Sequence, residues 1–241
     1  MSRRVLHAIN DRTDPVLLFT DELKTRGFDV VDVRPWAGEP LPATLEGFDG
    51  IVAGGGVVDT HQKDEHTWLA HELELMREGL DREVPIMGLC LGAQLLTEAA
   101  GGTVYRCDPP EVGWHQVEAN GIPADDPLFA GLPRSFAAFE WHYYACELPS
   151  GAIELMRNST AAQAMRFGPS AWATQFHIEV TREVLERWQS EAPDELAKFG
   201  YHRDAFLASL DEHLEPHVEI GRTLARRFAD HVAAYSPAAT S

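Results

Sequence analysis

The chain has 241 residues, 44% of them hydrophobic and 24% charged, which is enough apolar material for one large α/β core. Its net charge of -18 opposes contact with a phosphate backbone, so nucleic-acid binding is set aside. No apolar run is long enough to span a bilayer, and three cysteines without repeated spacing do not make a disulfide framework, so a soluble protein of a reducing cytoplasm is expected.

Arg4–Ile9 reads as a short buried strand; the basic start lacks the long apolar region and cleavage site of a signal peptide. Asp14 before Pro15 predicts a helix cap, and the helix runs from there to Arg26 with Gly27 as its stop. Asp29–Val33 and Gly50–Ala53 read as strands, the second ending in Gly54-Gly55-Gly56. Trp68, Leu69, Leu73, Leu75 and Met76, mixed with Glu72, Glu74 and Glu78, predict a helix. Pro85–Leu89 is a strand, and Leu91–Ala100 a helix closed by Gly101-Gly102. This alternation predicts βαβ units and a parallel sheet with helices on both faces, whose sites lie at the carboxyl ends of strands.

The middle of the chain holds short strand candidates at Val112–Glu118, Ser135–Phe139, Ala152–Met156, Ala162–Arg166 and Ala171–Phe176. After Thr181 the pattern is helical. Residues 191–201 read as a break, Val218–Tyr235 as a long amphipathic helix, and 236–241 as a frayed tail. Arg222, Arg226 and Arg227 read as a solvated face. His61, His66 and His71 recur at a spacing that does not keep one helical face, so no metal site is expected.

The chemistry concentrates in two places. Gly88-Leu89-Cys90-Leu91-Gly92 puts Gly-x-Cys-x-Gly between a predicted strand and a predicted helix. A tight strand-to-helix turn lifts one side chain clear of the backbone, and the flanking glycines leave room for close packing. The helix N-terminus favours a thiolate there, and the next backbone N–H points where an oxyanion would form. Cys107 and Cys146 lack this setting and read as buried structural residues. A nucleophilic thiol needs a base, and the base needs an orienting group. His177-Ile178-Glu179 closes an apolar run, and in extended backbone positions two apart share a side, so Glu179 can fix the tautomer of His177. The acid follows the histidine, which is not the order of an α/β-hydrolase.

These segments resemble the class I (triad-type) glutamine amidotransferases. Gly88 to Leu96 looks like the family's nucleophile motif, and Gln175-Phe176-His177-Ile178-Glu179 like its His-x-Glu motif. Ala53 to Gly56 resembles the glycine loop, and Phe139-Glu140-Trp141-His142-Tyr143-Tyr144 the Trp-His segment lining the glutamine pocket. Glu111-Val112-Gly113-Trp114 and Asp126 to Pro133 are similar to the free-standing, GMP-synthase-like branch. The resemblance covers roughly residues 45–190. It implies an α/β fold with a flavodoxin-like, mostly parallel sheet and helices on both faces. Residues 1–190 would form the amidotransferase domain, with 191–241 a helical extension packed on it.

The resemblance also implies roles. Cys90 would be the nucleophile, His177 the base and Glu179 its orienter. Backbone N–H groups of Gly55 and Leu91 would hold the oxyanion, and Gln94, Trp141, His142 and Tyr143 would bind the substrate. The implied reaction hydrolyses the side-chain amide of glutamine through a Cys thioester and releases ammonia, with no metal or organic cofactor. The stretch after Glu179 is short for an ATP-using synthetase domain, so the acceptor would belong to a separate synthetase subunit, or the ammonia would simply be released. One departure matters: Tyr143-Tyr144 stands where the branch tends to have Gly-Asp, whose carboxylate would pair with the α-ammonium of glutamine. Hydrolysis of another γ-glutamyl compound is the alternative, and a non-catalytic binding module on the same fold the third reading.

Overall fold

A computed structural model describes residues 2–14 and 16–236, and the expected fraying of 236–241 falls almost wholly outside them. A nine-stranded sheet runs β2-β1-β3-β4-β9-β8-β7-β5-β6. Its first five strands are parallel: β1 (Arg4–Ala8), β2 (Asp29–Val33), β3 (Gly50–Ala53), β4 (Ile86–Leu89) and β9 (Ala171–Thr174). Each of β3, β4 and β9 is buried along its whole length, as parallel strands covered on both faces must be. The remaining strands, β5 (Thr103–Ala119), β6 (Ser135–Glu147), β7 (Ile153–Arg157) and β8 (Ala162–Phe167), pair antiparallel. The mixed α/β sheet with a parallel half agrees with the expected fold.

Helices α1 (Leu17–Thr25) and α6 (Arg203–Ala234) cover one face, and α2 (Thr67–Asp81) and α3 (Leu91–Ala99) cover the other. On the first face Phe19 and Leu23 meet Ile220, Leu224, Phe228 and Val232 over Val52 and Met87. On the second, Leu69, Leu73 and Met76 meet Leu95 and Leu96 over Ile51 and Ile86. Burial of such side chains, about 1.5–3 kcal/mol each, is the main force holding both layers to the sheet.

Several boundaries differ from those read in the sequence. α1 begins at Leu17, after Val16 in the left-handed region (φ 49°), and Asp14 caps nothing there. β5 and β6 are far longer than their apolar segments, because they pair with each other through polar residues as well. The 191–201 break contains a short helix, α5 (Pro193–Lys198), after α4 (Arg182–Glu191). The last helix starts at Arg203, and its buried face runs unbroken past Pro216. Arg227 is not simply solvated: it donates to the carbonyls of Leu128 (2.5 Å) and Ala130 (2.9 Å).

Candidate active site

Cys90 sits between β4 and α3 with φ 50° and ψ -101°, a conformation that L-residues avoid unless their surroundings impose it. The imposing contacts are visible. Cys90 N–H donates to Thr174 O on β9 (2.9 Å), and Gly92 N–H donates to Gly54 O in the glycine loop (3.1 Å). A Cβ on Gly92 would lie 2.3 Å from Ala53 O, and one on Gly88 would lie 2.6 Å from Gly92 O. Both flanking glycines are therefore required by backbone-to-backbone contact. The turn also presents the start of α3: Leu91 is its first residue, so its N–H has no acceptor within the helix.

The chain beyond β9 carries the base. His177 N–H donates to Phe139 O (2.9 Å), which aims the ring at the same strand ends. Its Nδ1 lies 2.6 Å from Glu179 Oε1 with both side chains buried. Burial works against the imidazolium. The charges of Cys90 and Glu179, with their hydrogen bonds, outweigh it and hold the His177 proton well above the usual histidine range. The Cys90 sulfur itself contacts Trp141 O (3.9 Å) and accepts from Gln175 Nε2 (3.7 Å).

Support for this segment comes from α6. His217 Nε2 lies 2.8 Å from His177 O, and burial pushes the His217 imidazole down to about 4. It is thus a neutral ring donating its Nε2–H to the carbonyl. Gly221 lets the helix approach: a Cβ there would sit 2.3 Å from Ile178 O. Neither residue stood out in the sequence, because a histidine and a glycine in a helical run carry no motif.

Asp14 is a third residue whose place at the site the sequence did not disclose. Its carboxyl is buried, 3.8 Å from His177 Nδ1, and its Oδ2 accepts the N–H of Gly55 (3.0 Å). Burial, and then the Glu179 charge, push it up to about 7. The expected cap thus serves the site instead. Gly55 N–H, expected to hold the oxyanion, is engaged by Asp14 in this arrangement. Gly55 is nonetheless pressed against the site, since a Cβ there would lie 2.9 Å from His177 Cε1 and 3.5 Å from Cys90 Cβ. Asp14, His177 and Glu179 each place one ligand-type atom within 4.8 Å of the others.

Cys90, Leu91 and His177 open onto one cavity of about 460 Å³, whose walls include Gln94, Trp141, Tyr143 and Tyr144. Gln94 Nε2 faces Tyr144 O and Gln175 Oε1, each at 3.4 Å. Trp141 packs edge-on against Trp188, which also meets the His177 ring. The Tyr143 hydroxyl donates to Glu195 on α5. His142 is on the wall: Nδ1 lies 2.9 Å from Tyr144 O, and Nε2 lies near two carboxylates, 3.1 Å from Glu140 and 3.3 Å from Glu111. Burial opposes its charge, but bonds to Cys107, Glu111 and Glu140 hold its proton well above the usual range. The ring bridges Glu111 on β5 and the Tyr144 carbonyl on β6.

Known proteins share this fold. The profile of the family "Glutamine amidotransferase class-I" matches residues 18–187. The chain belongs to that family. Two solved structures of glutamine amidotransferases are similar throughout, each at 25% identity. The one from Thermotoga maritima has a TM-score of 0.83 over 98% of this chain and 100% of that one. The one from Methylobacillus flagellatus has a TM-score of 0.84 over 99% and 97%. Among curated relatives, the putative glutamine amidotransferase-like protein YfeJ of Salmonella typhimurium is 25% identical over 198 residues, covering 80% of this chain and 83% of its own. A glutamine-hydrolyzing GMP synthase subunit of Sulfolobus acidocaldarius is 29% identical over 170 residues, covering 68% and 82%. The chain spans only 33% of the glutamine-hydrolyzing GMP synthase of Thermosipho melanesiensis. Among the described residues, no helix is long and apolar enough to cross a membrane.

Proposed function

We propose that this amidotransferase hydrolyses the side-chain amide of glutamine and releases ammonia. The observation that carries the reading is a strained Cys90 opening on the same cavity as His177, with Glu179 2.6 Å behind the imidazole. His177 takes the Cys90 proton, and the thiolate attacks the amide carbon. Leu91 N–H stabilises the oxyanion, joined by Gly55 once its N–H leaves Asp14; each such donor is worth about 3–4 kcal/mol. Imidazolium then protonates departing ammonia, and water cleaves the thioester to give glutamate. Gln94, Trp141 and Tyr143 line the substrate's path, and His142 sets the strand behind them.

Ammonia would pass to a synthetase on a separate chain, as the name of the Sulfolobus subunit suggests for that protein. Residues 1–190 form the amidotransferase domain in this reading, and those from 191 onward buttress it through α6. Three free cysteines suit a reducing cytoplasm. Hydrolysis of a different γ-glutamyl amide is a second reading, favoured by Tyr143-Tyr144 and by a cavity sized for more than one amino acid.

A diazoketone analogue of glutamine tests the reading. The expected outcome is one adduct, located on Cys90 by peptide mass spectrometry, and loss of ammonia production in Cys90→Ser. An unmodified Cys90 together with ammonia release untouched by that substitution would refute it.

A further inference from the structure

Two buried carboxylates converge on one imidazole nitrogen. His177 Nδ1 lies 2.6 Å from Glu179 Oε1 and 3.8 Å from Asp14 Oδ2. Glu179 alone orients the ring in the reaction proposed above, so Asp14 is a second carboxylate with no step of its own there. Both acids are poorly satisfied. Asp14 is 3% exposed and Glu179 2%. Glu179 Oε2 takes no hydrogen bond among the described residues, and Asp14 Oδ1 takes none of normal geometry. Buried carboxylates short of donors are costly unless a proton or a metal ion neutralises them.

The spacing suits a metal. One ligand-type atom of each of Asp14, His177 and Glu179 lies within 4.8 Å of the other two. Zinc ligands at about 2.0–2.1 Å and tetrahedral angles stand about 3.3 Å apart, so rotation of the two carboxylates seats an ion between them and Nδ1. One imidazole nitrogen with two carboxylate oxygens is a zinc-type donor set, whereas magnesium and calcium prefer oxygen alone. Asp14 and His177 both line the cavity, which gives the ion its way in. Its two positive charges match the two carboxylates, so the filled site is neutral.

We propose that Asp14, Glu179 and Nδ1 of His177 form an inhibitory site for a divalent ion of the zinc type. On binding, the Nδ1–H bond breaks, the proton leaves to solvent, and the nitrogen lone pair goes to the metal. The ring's remaining proton then sits on Nε2. That nitrogen has no lone pair left for the Cys90 proton, so the nucleophile stays a thiol. The rival arrangement, the Cys90 sulfur with Nε2, uses the other side of the ring and does not need Asp14. The inhibitory effect rests on the amide-hydrolase reading; the binding site does not.

Calorimetric titration of zinc into the metal-free chain separates the two arrangements. Cys90→Ser should bind one ion as tightly as the parent, whereas Asp14→Asn and Glu179→Gln should each bind at least about tenfold more weakly. Asp11→Asn, which changes another carboxylate on the cavity wall, should bind like the parent. Cobalt bound to the parent should show ligand-field bands without a sulfur-to-cobalt charge-transfer band; this needs no variant, so it decides even where a substitution unfolds the chain. Zinc should also abolish ammonia release from glutamine by the parent, and a chelator should restore it. Absence of binding, binding lost in Cys90→Ser, binding unchanged in Asp14→Asn or a sulfur-to-cobalt band would each overturn the site. Full activity with the ion bound would overturn its inhibitory role. A parent that releases no ammonia before metal is added would remove the proposed function instead, and the binding measurements would still decide the site.

Discussion

Glu72 offers a measurement of how the fold treats a buried acid near its glycine loop. It lies on α2, 2% exposed; its Oε1 accepts Asn10 Nδ2 at 3.0 Å, and its Oε2 has no partner. Burial raises it from 4.5 to about 8, against the smaller opposing effect of Asn10. Between those values the unfolded chain has released this proton while the folded chain keeps it. Its contribution to stability is complete below 4.5 and is lost as pH rises toward 8, at about 1.4 kcal/mol per pH unit. Glu72→Gln has no proton to lose, so the slope disappears. Relative to the parent, the variant should gain about 2.7 kcal/mol of unfolding free energy between about pH 5.5 and about pH 7.5. Urea titration at both values reads this directly, and any fixed cost of the new amide cancels in the difference. Activity should survive, since Asn10 Nδ2 also reaches Gly54 O (3.2 Å). A gain that is the same at both pH values would show that Glu72 is ionised in the fold and refute the argument.

Three further outcomes follow from the site. Glu179→Gln removes the charge behind His177 and frees its tautomer, so kcat should fall by about 10³–10⁴ with KM little altered; a loss confined to KM would contradict the role. Gly92→Ala places a methyl 2.3 Å from Ala53 O, so helix or loop must shift; at least about 1–3 kcal/mol of stability and most activity should go, and a variant as active as the parent would discredit the packing argument. Asp14→Asn removes a negative charge 3.8 Å from His177 Nδ1, a charge present above about pH 7. The imidazolium then loses its proton more easily, so the alkaline limb of kcat/KM should move to lower pH, and an unmoved limb would mean that the two groups do not communicate.

What the sequence disclosed depended on whether a local rule existed. The parallel strands were legible because burial on both faces turns Gly50–Ala53 and Ile86–Leu89 into short apolar runs between helical patterns. Strands β5 and β6 were legible only in part, since a ladder is fixed by its partner as well as by its own residues. The pair His177–Glu179 could be read from spacing alone, because two residues of extended backbone bring both side chains to one side. Asp14 could not: the Asp-Pro pair is also a good helix start, and only the tertiary path of the glycine loop decides between the two.

The same distinction explains where the site is individual. Gly88, Cys90 and Gly92 form a turn whose geometry allows almost no substitution, since the two glycines are closed in by backbone oxygens. Residues at the far end of the cavity face no such limit. Tyr143 reaches Glu195 on α5, and Tyr144 lies between His61 and Arg106, so both tyrosines depend on partners more than thirty residues away in the chain. Reactivity in this protein is thus encoded by short motifs. The walls of the cavity are set instead by contacts between distant segments, so exchanging Tyr143 or Tyr144 would alter those contacts while leaving the nucleophile turn untouched.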